Sequence, residues 1–157
     1  MHIVLKKVKY HEDMSDETNC FSAEIWADGK KLADVSNRGC GGENDYYPVG
    51  GYVNPKWAEF VRWCKAKPPL ISDDMTLNMN TDLVVGELFD ECIREEDIRR
   101  QQAQINRWCK TQTVWRLKGD KPGTWHTRKV PYTPLVGKVL RDKLGDTLET
   151  IANEVTA

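Results

Sequence analysis

The chain predicts an α+β fold: an N-terminal antiparallel hairpin or sheet, a short and a long helix, a second hairpin and a C-terminal helix. Three observations carry that expectation. Two stretches, "NCFSAEIWADGKKLADVSN" and "TVWRLKGDKPGTWHTRKV", alternate in the two-residue period of a strand around glycine-bearing turns. Two others repeat apolar residues at helical spacing. No regular strand–helix–strand alternation is present, so nothing asks for a parallel sheet. At 157 residues and 39% apolar, a single domain spanning 1–157 is expected, able to bury about two thirds of the unfolded chain's surface.

The first strand reads from "HIVLKKVKY", with Val4, Lys6, Val8 and Tyr10 alternating against Ile3, Leu5, Lys7 and Lys9. An acidic loop leads into the first hairpin, which turns at Asp28-Gly29. A three-residue bulged loop pairs Trp26 with Leu32, Ile25 with Ala33 and Ala23 with Val35, and is preferred. A two-residue loop would instead place Ala23 opposite Asp34. Asn54-Pro55 starts a helix, asparagine as cap and proline at the first helical position. Its stripe is Trp57, Phe60, Val61 and Cys64, and Pro68-Pro69 ends it. "SDDMTLNMN" reads as a linker. Asn80 or Thr81 caps a helix to about Thr111, apolar from Leu83 to Ile93 and mostly polar after that. In the second hairpin, residues 119–123 form the loop and Lys118 faces Thr124. Leu117 then faces Trp125 and Trp115 faces Thr127, which gathers Arg116, Lys118, His126 and Arg128 on the other face. Leu135, Val136, Val139, Leu140 and Leu144 form a helix that Gly145 ends. Asp146 and Glu149 cap a last short helix carrying Leu148, Ile151 and Val155.

Net charge is −1, but residues 107–143 hold ten Lys or Arg against Asp120 and Asp142, while residues 82–97 hold seven acids against Arg94. Such asymmetry marks an interaction surface or mutually compensating solvated faces. The five cysteines are odd in number and form no CxxC pair, so no zinc ribbon, thioredoxin-type motif or disulfide framework is expected. With no long apolar run and no signal peptide, a cytoplasmic setting without membrane contact is expected.

The candidate partner-binding residues are Arg116, Lys118, His126 and Arg128, followed by Arg99, Arg100 and Arg107. The same basic region is the candidate for nucleic acid, since phosphate contacts need clustered cations. The stretch "NRGCGGENDYYPVGG" reads first as turn chemistry into the Asn54-capped helix. Its alternative is a small-ligand or enzymatic site at Gly39, Cys40, Gly41, Gly42, Tyr46 and Tyr47, because glycine-rich loops before helix starts can offer converging N–H groups. Neither a P-loop nor a dinucleotide fingerprint is present. A nucleophilic Cys40 needs a base, and the histidines are His2, His11 and His126. No catalytic residue, metal or cofactor is assigned.

The run "ETNCFSAEIWADGKKLADVSNRGCGGEND" with "MNTDLVVGEL" resembles a group of small accessory proteins of tailed bacteriophages, in which a Cys-Phe-Ser hairpin precedes a Gly-His-Gly-Gly stretch. Cys40 stands here at the second position of that stretch. The similarity spans about half the chain, most clearly 17–45 and 79–88. It implies a viral, non-structural protein acting by stoichiometric binding to a host protein, with inhibition of a defence component (CRISPR or restriction) as the form such binding takes.

Overall fold

The computed structural model describes residues 1–72 and 75–155. Its architecture is α+β with antiparallel sheets throughout. Where a single domain over 1–157 was expected, the chain divides into two compact units, 1–94 and 95–157. The physical reason is a 29-residue helix, which at about 1.5 Å per residue is long enough for its two halves to join different cores.

Unit 1 holds a four-stranded sheet ordered β1 (Ile3–Tyr10), β2 (Cys20–Ala27), β3 (Lys30–Arg38), β4 (Asp45–Pro48). One face is covered by α1 (Pro55–Lys65) and the first half of α2 (Thr81–Cys109), burying Ile25, Ala33 and Val35 with Phe60, Cys64, Val84, Val85 and Phe89. Both helix starts follow local chemistry. Asn54 Oδ1 accepts from Lys56 N at 2.9 Å and Asn80 Oδ1 accepts from Leu83 N at 2.8 Å.

Two irregularities depart from simple alternation. Lys6 pairs with Glu24 and Lys9 with Ser22, so Lys7 and Val8 together oppose Ala23, with Lys7 at φ +51°. This bulge reverses the strand's phase, and Val8 and Tyr10 join Ile3 and Leu5 on the core. The first hairpin turns on two residues, Asp28 and Gly29, placing Trp26 opposite Lys31 rather than the expected Leu32. A bulge beyond Trp26 then restores Ile25–Ala33 and Ala23–Val35, as expected. The stretch read as a linker, 72–80, includes a strand, β6 (Met75–Leu77), which pairs antiparallel with β5 (Leu70–Ser72).

Unit 2 is a three-stranded sheet ordered β8 (His126–Arg128), β7 (Thr113–Leu117), β9 (Leu148–Ile151), with α3 (Pro134–Leu144) and α4 (Ala152–Val155). Residues 148–151, expected in a last helix, form a strand instead. β7 has two edges to satisfy, and this segment supplies the second, with Ile151 opposite Trp115 and only 3% exposed. Val114 is fully buried against Ile105 and Ala152, flanked by Trp108, Cys109 and Trp125. Buried Asn153 ties this core together: its Oδ1 accepts from Val114 N at 2.8 Å, and its Nδ2 donates to the carbonyls of Cys109 and Gln112.

Candidate functional site

The second hairpin carries the residues singled out for partner binding, and its register differs from the expected one by a single residue. Trp115 pairs with His126 and Thr113 with Arg128. Because side chains alternate faces, a one-residue slip moves a whole strand's side chains across the sheet. Thr113, Trp115, His126 and Arg128 therefore share one face, and Arg116 lies on the other. The expected row of four basic side chains does not form. The loop chemistry explains the slip: Asp120 Oδ2 accepts from Leu117 N at 2.8 Å and meets His126 Nε2 at 3.0 Å, which draws the start of β8 one position closer.

Each cation has its own surroundings. Arg116 reaches Glu149 at 3.2 Å and donates to the Asp120 carbonyl at 3.3 Å. His126 stacks on Trp115 with ring centroids 5.8 Å apart and is held by Asp120. The Leu117 N–H, then His126, hold the Asp120 carboxyl below its ordinary range. Lys118 is exposed at the end of β7, its backbone N–H donating to Thr147 O. Arg99 and Arg100, on the second half of α2, both pair with Glu96. Arg107 is exposed, with no ion pair among the described residues.

Arg128 is placed differently. It lines a groove of about 220 Å³ between the Thr113–Trp115 face and α3, together with Val130, Leu135, Val136, Val139, Leu140 and Lys143. The sequence marks those α3 residues as one helical stripe, of the kind that fills a core. Yet the stripe is only partly covered: Leu135 is 71% exposed and Val139 41%. Two cations and no carboxylate line the groove. Sequence reasoning named Arg128 and missed the groove, because the gap depends on where α3 settles against the sheet, which local periodicity does not encode.

The glycine-rich stretch in unit 1 acts as a clasp on residues 14–20. Gly39 is buried at φ +84°, and its carbonyl accepts from Asp16 N and Thr18 N. Its own N–H donates to Asn37 Oδ1, and Gly41 N donates to Thr18 Oγ1. Two of the N–H groups that an anion would need are thus spent internally. Cys40 is exposed, and its Sγ lies 3.7 Å from the Arg38 carbonyl. Gly42 is exposed with open space around it. Tyr46 belongs to β4 and donates to Asp82 Oδ1 at 2.8 Å; burial, with that carboxylate beside it, pushes its hydroxyl far above the ordinary tyrosine value. Tyr47, its neighbour on the strand, is 61% exposed. The six residues are therefore dispersed among a buried clasp, a hydrogen-bonded core edge and solvent.

Among the described residues no three His, Cys, Asp or Glu side chains are placed to hold a metal ion, and no helix is long and apolar enough to cross a membrane. No family description, curated protein or solved structure matches this chain.

Proposed function

We propose that this chain is a binding protein of the phage-accessory type, acting stoichiometrically on a host protein in the cytoplasm, with inhibition of a host defence component as the outcome. The observation that carries the reading is the groove of unit 2: an apolar stripe on α3 left open beside a β-sheet face, with Arg128 and Lys143 in its lining. Exposed apolar side chains grouped in a concavity, with charge at the margin, have the anatomy of a protein interface. The likeness of 17–45 and 79–88 to phage accessory proteins supports the biological setting.

Protein is favoured over nucleic acid because five of the residues that line the groove are aliphatic and two are cations, whereas phosphate binding rests on clustered cations. The test is affinity capture from nuclease-treated bacterial lysate, comparing the wild-type chain with a Leu135→Glu/Val139→Glu variant. One protein recovered in stoichiometric amount by the wild type and lost with the variant is expected. An empty lane, or equal recovery by both chains, would refute the reading.

A further inference from the structure

The groove's dimensions and charge say what kind of segment it takes. Its volume of about 220 Å³ exceeds the roughly 150 Å³ that holds a benzene ring in an apolar cavity. One large apolar anchor side chain therefore fits within it. Five aliphatic residues form most of the wall: Val130, Leu135, Val136, Val139 and Leu140. Trp115, which also lines the groove, has one ring face stacked on His126 at 5.8 Å. The two charged liners, Arg128 and Lys143, have no ion-pair partner among the described residues, although Arg116 and Arg141 nearby in sequence do.

We infer that this groove binds an acidic protein segment that inserts one large apolar side chain, phenylalanine or leucine, between β7 and α3, while flanking carboxylates meet Arg128 and Lys143. The inference rests on the protein-binding reading above and adds the chemistry of the partner. Interfaces commonly concentrate their energy in one such anchor, with charged margins setting orientation and association rate. Here the anchor would supply most of the affinity, and the two cations would reject basic segments.

The test uses fluorescence polarisation of three fluorescein-labelled peptides against the full chain. The first is acidic with a central phenylalanine (DEDFEDE), the second replaces that phenylalanine with alanine, and the third replaces every acid with lysine. The first should bind saturably below about 1 mM, with at least tenfold weakening for each of the other two. Leu135→Glu and Arg128→Glu should each weaken the first peptide about tenfold. Both positions are solvent-exposed, so the fold should survive, which circular dichroism checks.

Equal binding of the acidic and lysine peptides, no binding of the first, or unchanged binding by Leu135→Glu would overturn the inference. So would displacement of the bound peptide by a twelve-residue oligothymidylate at low salt, which would give the groove to nucleic acid. Self-association of the wild type that Leu135→Glu abolishes would give it to a second copy and overturn it as well. Lysate capture separates the two levels. A groove-dependent partner recovered while the acidic peptide fails refutes this inference alone, and an empty capture lane refutes the reading beneath it.

Discussion

Replacing Gly39 with alanine should destabilise unit 1 by about 3 kcal/mol, if the glycine-rich stretch is a clasp. Two contributions make up that figure. At φ +84° an L-residue costs about 1–2 kcal/mol. The added Cβ would then lie 2.4 Å from the Met14 carbonyl oxygen and 2.9 Å from Cys20 Cβ, so backbone has to move, at a cost of about 1–3 kcal/mol. Gly42→Ala is the control: φ is +92° but nothing lies within 4 Å, leaving only the backbone penalty of about 1–2 kcal/mol. Native-state hydrogen exchange at the amides of Ile25 and Val35, both in the sheet core, reads the loss. Equal effects of the two substitutions would refute the clasp and return the stretch to a free loop.

Other expectations follow from the same contacts. Phe60→Ala, at a fully buried position, should cost unit 1 about 3–5 kcal/mol in chemical denaturation. Asn153→Ala strands the Val114 N–H and the Cys109 and Gln112 carbonyls, and should cost unit 2 on the order of 3 kcal/mol, read as faster exchange of the Val114 amide. The hydrogen bond from Trp26 Nε1, then Lys7 and Lys31, lowers the Glu24 carboxyl from 4.5 to about 2. A lowered carboxyl stabilises the fold above its unfolded value, so this contribution is full above about pH 4.5 and fades as pH falls toward 2. Glu24→Gln should flatten the acid limb of the stability profile, and an unaltered limb would contradict the assignment. The Cys64 thiol, fully buried and pushed up to about 12 by desolvation, should resist alkylation until unit 1 unfolds, while exposed Cys40 reacts in the native chain.

What the sequence made legible was local chemistry. The Asn54-Pro55 start, the Asn80 cap, the Trp57–Cys64 stripe and the Ile25–Ala33 register were readable because each depends on neighbours a few positions apart. The misses involve partners distant in sequence or side-chain geometry. The phase reversal at Lys7 needs β2 as a ruler, although Ile3, Leu5, then Val8, Tyr10 already carries an odd step that signals a bulge. Residues 148–151 show apolar spacing that suits a helix or a strand equally, and the open edge of β7 decides between them. The single-residue shift of the second hairpin turns on the Asp120 side chain, and it moved His126 and Arg128 away from Arg116. One basic face thus became separate ion pairs and one groove.

Whether this groove meets a protein is read by site-specific photocrosslinking. A p-benzoyl-phenylalanine placed at position 135, on the groove, is irradiated in bacterial lysate beside the same group at position 138, outside the groove lining. One protease-sensitive, nuclease-resistant adduct is expected from position 135 and none from 138. Adducts of equal yield from both positions, a nuclease-sensitive adduct, or none from position 135 would contradict it.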